Sequence, residues 1–220
     1  MHDAPALSPD AAPRPLRWSA IPYPGERWLP RPEEPAAGSW PLFLLGRDAA
    51  GRFTGPSGVP ISLAIRDPAT IDFRTEQLPV VQTVLTHLTD RQREIALYWA
   101  AGPPTHKFTP IADRLISTYA VTAGRAARIL AALQAAIQDA LIVAWQLKFL
   151  WDVPRPHQLD PTLRPIIPVP RHPTYPSGHA VVAGAAEPIL SYFFAPEAER
   201  IRQRCEECAR SRLYAGVHFP

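Results

Sequence analysis

The stretch TAGRAARILAALQAAIQDALIVAWQLKFLW, Thr122 to Trp151, settles the fold class. It is rich in alanine and leucine, which have high intrinsic helix propensity, and it reads as one long helix. Pro154 and Pro156 stop it, because proline lacks the backbone donor and clashes with the preceding turn. Upstream, PVVQTVLTHLTDRQREIALYWAAGPP carries apolar residues at Val81, Val84, Leu85 and Leu88, then at Ile95, Tyr98 and Trp99. That spacing is helical. Thr89 and Asp90 cap the second of these helices, and Gly102-Pro103-Pro104 ends it. TPIADRLISTYAV, starting at Thr109, gives a short helix. Downstream of the long helix a proline-laden loop runs to Pro176, and helices resume at Ser177 and near Pro196.

Residues 1–79 differ in texture. Many of the chain's 28 prolines lie there, with scattered aromatics. Trp18, Tyr23 and Trp28 are expected to anchor this segment on a core, and PLFLLGRDAAGRFTGP (residues 41–56) gives a short strand and turn. The expected fold is mostly α: a helical bundle (residues 80–220, the catalytic domain) with an irregular proline-rich N-terminal arm (residues 1–79) packed on it.

A chain of 220 residues suits one domain with a real core. Its formal charge is +3 and no block of consecutive Lys or Arg appears, so no nucleic-acid partner is expected. The basic residues are 21 arginines and two lysines, Lys107 and Lys148, which makes each lysine conspicuous. Cys205 and Cys208 form a single CxxC within an expected helix; alone it cannot supply four zinc ligands, and a structural role is preferred to redox or metal chemistry. The N-terminus lacks a basic start followed by an apolar run. The most apolar segment, Ile129 to Leu150, is interrupted by Gln134, Gln138, Asp139, Gln146 and Lys148, so no membrane span is expected. A cytoplasmic location follows as the default expectation.

Three short segments carry chemistry. In KFLWDVPRP, Lys148 and Arg155 are seven residues apart; they share a face while the helix lasts and can converge as the prolines turn the chain. Two such cations suit an anion with several oxygens, or form a solvated helix end with Asp152 as partner. In PSGH, Ser177 is an N-cap, Gly178 admits a ligand close to the backbone, and the free N–H groups of a helix start attract oxyanions. His179 can hand a proton to a leaving oxygen. The alternative is an ordinary cap beside a surface histidine; PSG recurs at Pro56–Gly58 without one. In SRLYAGVH, Arg212 offers a third cation, Gly216 a close backbone approach, and His218 a ring nitrogen as nucleophile or ligand. Its alternative is a basic helix terminus. Together the three segments supply what a trigonal-bipyramidal oxyanion needs: cations, a helix N-terminus and an apical imidazole.

The order Lys148-x6-Arg155-Pro156, Pro176-Ser177-Gly178-His179, Ser211-Arg212-x5-His218 resembles the superfamily shared by vanadium-dependent haloperoxidases and type 2 phosphatidic acid phosphatases, which also includes acid phosphatases. QDALIVAWQLKFLWDVPRP and HPTYPSGHA look like its soluble haloperoxidase branch, and the resemblance covers Asp90 to Pro220. It implies a mostly helical fold with the site inside a four-helix bundle. It implies that Lys148, Arg155, Ser177, the Gly178 amide and Arg212 hold the oxygens of vanadate or phosphate. His218 is then the residue bonded to vanadium, or phosphorylated, and His179 the acid–base partner. The pattern adds an aspartate four residues after the second histidine to orient it. The sequence ends two residues after His218. The expectation is therefore either a chain truncated at its C-terminus, lacking the helix that starts at His218, or an orienting group supplied from elsewhere.

The implied activity is vanadate-dependent oxidation of a halide by hydrogen peroxide. The alternative is a soluble acid phosphatase that needs no cofactor and hydrolyses phosphate monoesters through a phosphohistidine. His172 stands on the halide side in this resemblance and suggests bromide or iodide; otherwise it is a turn residue before Pro173. His157 could also approach the site, but a loop residue is the preferred expectation. Two different classes stay open: a metal-hydrolase shell of His157, Asp160, His172, His179 and His218, which matches no compact motif such as HExxH, and a non-catalytic oxyanion-binding protein. The expected partners are small molecules, with a homo-oligomer possible if the aromatic-bearing arm wraps a neighbouring subunit.

Overall fold

The computed structural model describes residues 17–23, 25–27 and 30–220, so the anchor expected at Trp28 lies outside the described residues. The fold is mostly α. Its helices are α1 (Leu78–Thr86), α2 (Asp90–Ala100), α3 (Thr105–Thr118), α4 (Ala123–Trp151), the single turn α5 (Pro156–Leu159), α6 (Gly178–Phe193) and α7 (Ala198–Tyr214). A two-stranded antiparallel hairpin, β1 (Gly46–Arg47) and β2 (Phe53–Thr54), pairs Gly46 with Thr54 and Arg47 with Phe53.

Helix ends follow local chemistry. Thr89 and Gln92 form a reciprocal capping box at the start of α2. α4 ends where Asp152 turns left-handed (φ 53°) and its N–H closes on the Lys148 carbonyl at 2.8 Å. The stop thus falls just ahead of Pro154. α3 begins at Thr105, four residues before the expected start, and takes Pro110 into its interior.

α4 packs on α6, α6 on α7, and α7 on α2. Ile129, Leu133, Ile137, Val182, Leu190, Ile201, Cys205 and Cys208 form the main core among them. Small residues on α6 allow a close approach: a Cβ at Gly178 would meet the Trp145 ring at 3.3 Å. Both cysteines are buried free thiols, and burial pushes each up to about 12, which makes them inert core residues.

The N-terminal segment is tied to α4. The buried Asp139 carboxylate accepts the backbone N–H groups of Phe43, Leu44 and Leu45 at 2.7–2.8 Å. Phe53 packs against Val143 and Leu147. The Trp18 backbone N–H donates to the Asp152 carbonyl at 3.1 Å, and its ring meets the Phe149 ring edge-on. Tyr23 bonds Glu33 and lies under the Arg171 guanidinium.

By length and composition alone, residues 123–159 are apolar enough to cross a membrane. The polar interruptions in α4 therefore do not by themselves argue against a span.

Candidate active site

Two of the motif's three cations, Lys148 and Arg212, sit at the end of an inward-facing stripe. On α4, Ile137, Ala144 and Lys148 are buried along one face, so the pattern that buries the apolar side also drives the ammonium inward. On α7, Ile201, Cys205, Cys208, Ser211 and Arg212 do the same. Lys148 is fully buried and donates to the carbonyls of Pro173 at 2.7 Å and Thr174 at 3.1 Å. Burial, and then repulsion from Arg155, hold its pKa well below that of an ordinary lysine.

Arg155 leaves the α4 axis altogether and becomes the N-cap of α5. Fully buried, it spreads its donors over two histidines: Nε to the His172 carbonyl (3.0 Å), Nη2 to His172 Nδ1 (3.1 Å), and Nη1 to both the Val217 carbonyl (2.8 Å) and His218 Nε2 (3.0 Å). A guanidinium has no acceptor. His218 Nε2 therefore presents its lone pair to it, while His172 Nδ1 lies between the guanidinium and the Pro173 carbonyl (3.2 Å). Arg212 donates to Ser211 Oγ and to the Ala96 carbonyl of α2. Burial is the main cause that lowers Arg155 to about 9 and Arg212 to about 10. None of these three cations forms an ion pair among the described residues.

Ser177 caps α6, accepting the Ala180 N–H at 3.4 Å. His179, in the first turn, donates from Nε2 to the Trp99 carbonyl at 3.0 Å, so its lone pair is on Nδ1. Burial and Arg212 lower its pKa to about 3. His218 and His172 are likewise depressed well below the usual imidazole range, by burial first and the neighbouring cations second. All three imidazoles are neutral at pH 7. His179 as it stands has its one proton engaged with Trp99 and offers a hydrogen-bond acceptor at Nδ1, not a spare proton.

The structure brings Lys148, Arg155, Arg212, His172, His179 and His218 within electrostatic reach of one another. Two cavities meet at Arg212. One, of about 960 Å³, is lined by His172, His179 and a mostly apolar wall including Trp40, Ile142 and Trp145. The other, of about 700 Å³, is lined by Thr174, Ser177 and His218. His172 is buried with its ring against Trp145, centroids 4.8 Å apart.

Two glycines of the motifs also meet a packing demand. Gly178 makes room for the Trp145 ring, and Gly216 sits at φ +73° with Leu85 where a Cβ would be. His157 is in α5 rather than a loop, its ring nitrogens buried and unpartnered. Asp160 bonds Gln82 and Thr162, outside the cluster. Among the described residues no group of three or more His, Cys, Asp or Glu is placed to hold a metal ion. The reading from sequence missed Thr174, whose hydroxyl lies 3.0 Å from His218 Nδ1.

Fold and site together define a helical-bundle protein with a buried cluster of unpaired cations and neutral imidazoles. Residues 126–220 match the family model of the PAP2 superfamily. That is the superfamily its three motifs resemble. A bacterial vanadium-dependent iodoperoxidase of known crystal structure shares the fold: TM-score 0.71, 22% identity, 96% of this chain covered. The chain spans 57% of that enzyme's length. No curated protein matches it in sequence.

Proposed function

We propose that this chain is a vanadate-dependent haloperoxidase-like enzyme, oxidising bromide or iodide with hydrogen peroxide. One observation carries the reading: three buried cations without a carboxylate partner, beside a helix N-terminus and an imidazole lone pair. Burying such charges uncompensated is costly, and a tetrahedral oxyanion with several negative oxygens supplies the compensation. The donor set therefore fits vanadate. Lys148, Arg155, Arg212, Ser177 Oγ and the Gly178 amide would hold its oxygens, and His218 Nε2 would bind vanadium. When bound, vanadate supplies the activation of peroxide toward halide. His179 Nδ1 accepts a proton at the site, and His172 lines the halide side. The likeness to an iodoperoxidase fold is in keeping with this. We read α4 as a core helix rather than a membrane span, because its buried stripe ends in Lys148 at the site.

A second reading is favoured by the apolar 960 Å³ cleft at His179, which has room for an organic ester. In an acid phosphatase, His218 Nε2 bonds phosphorus as the P–O bond to the alcohol breaks, and protonated His179 gives its proton to the leaving oxygen. Water then attacks phosphorus, the P–N bond breaks, and phosphate leaves. Burial is the main cause that depresses His179 and Arg212 the next; the substrate's negative charge offsets the second and shifts the ring toward its protonated form.

The test uses two assays, each with and without orthovanadate: halogenation of an indicator dye with peroxide and halide, and hydrolysis of a chromogenic phosphate ester. Vanadate should switch on the first. Hydrolysis inhibited by vanadate, with no halogenation, selects the phosphatase. Vanadate binding with neither activity selects a non-catalytic oxyanion-binding protein and overturns both.

A further inference from the structure

We infer that Thr174 is a positioning residue that fixes the tautomer and the aim of His218. The inference rests on the reading that His218 Nε2 bonds the central atom of an oxyanion. The hydrogen-bond chain allows one assignment. Arg155 Nη1, 3.0 Å from His218 Nε2, can only donate, so Nε2 must be bare. The single proton of the neutral ring is then on Nδ1, and Thr174 Oγ1 accepts it at 3.0 Å. The threonine's own proton faces the Val217 carbonyl at 3.5 Å. The reverse assignment would set an Nε2 proton against a guanidinium proton at the same 3.0 Å.

Thr174 is held firmly enough for this task. It is 1% exposed. Its N–H bonds the Val153 carbonyl at 3.0 Å, and its carbonyl accepts from Lys148. The lysine that serves an anion thus also clamps the residue that aims the nucleophile. As Nε2 forms its bond, the ring gains positive charge and Nδ1–H becomes a stronger donor. The contact to Thr174 then becomes charge-assisted, stronger in the bound state than in the free one.

Two measurements test this. The first is ¹⁵N NMR of the histidine rings in the ligand-free protein at pH 7.5. It should show His218 protonated at Nδ1 and bare at Nε2; a proton at Nε2 overturns the proposal, whatever the protein's activity. The second is orthovanadate affinity by calorimetry. Thr174→Val, which keeps the shape, should weaken binding roughly 10- to 100-fold, and Thr174→Ser should restore most of it. Equal affinity of Thr174→Val and wild type overturns the proposal. Wild type that binds no orthovanadate sinks the functional reading instead, and the NMR result still decides the tautomer. It also decides the case if Thr174→Val fails to fold.

Discussion

Arg155 and His218 are joined twice: Nη1 reaches the ring at Nε2 (3.0 Å) and the carbonyl of the preceding residue, Val217 (2.8 Å). One buried guanidinium therefore sets both the ring's lone pair and the backbone that carries it. This links the first motif to the third across 63 residues. It also leaves a cation and a neutral ring facing each other with no carboxylate between, which is the arrangement an oxyanion completes.

Replacing His218 with Ala should abolish turnover in either assay while orthovanadate still binds, more weakly. The remaining cations and helix start supply that residual affinity. Wild-type turnover in this variant, measured at saturating substrate, would remove His218 from its assigned role.

Oxyanion binding should appear as stabilisation. At 100 times its Kd, orthovanadate adds about 2.7 kcal/mol, roughly 5–10 °C in Tm for a chain of this size. Lys148→Met removes a charge-assisted contact worth about 1.5–3 kcal/mol, so most of that shift should vanish at the same concentration. Scanning calorimetry checks it; a shift as large as in wild type places Lys148 outside the anion's shell.

The sequence was most informative where chemistry is local. The Ala- and Leu-rich run, the Thr89 cap and the prolines after Trp151 each act within a few residues, and α2 and α4 formed as expected. The motif residues were visible because their types and spacing were unusual, Lys148 above all. What stayed hidden acts at long range. Asp139 looked like a flaw in an apolar helix, yet it receives three N–H groups from 94–96 residues earlier. Nothing in HPTYP says that Thr174 meets a histidine 44 residues on. Gly178 suggested space for a ligand, but only the folded α4–α6 contact reveals the Trp145 ring beside it. α3 was placed late because Pro110 suits a helix start, whereas Pro103 and Pro104 already set that start.

Acid should destabilise the ligand-free protein earlier than carboxylate titration alone would. His172, His179 and His218 are all depressed in the fold, His179 to about 3, while unfolded imidazoles titrate near 6.5. Below pH 6.5 the unfolded chain binds more protons, so stability falls with falling pH, by up to about 1.4 kcal/mol per pH unit for each ring. The loss from His179 continues down to about pH 3. An oxyanion raises all three pKa values and should flatten the slope. Melting curves at pH 7.5, 6.5 and 5.5, with and without phosphate, measure both effects. A Tm independent of pH over that range means that the rings are not buried neutral.

The N-terminal segment should prove integral to the stability of α4. Asp139→Ala strips the acceptor from three backbone N–H groups at once. Lost charge-assisted bonds plus stranded donors put the cost at about 2–4 kcal/mol. Asp139→Asn keeps one carbonyl oxygen and should cost less. Gly38→Ala attacks the same face from the other side: its Cβ would fall 2.6 Å from the Gln146 backbone, which has no room to yield. Overpacking there should cost about 1–3 kcal/mol and lift the Ala37–Ser39 turn off the helix. Urea unfolding of the three variants should rank Asp139→Ala as less stable than Asp139→Asn, with Gly38→Ala clearly below wild type. If all three unfold at the wild-type midpoint, the contacts along α4 contribute nothing to holding the helix that presents Lys148.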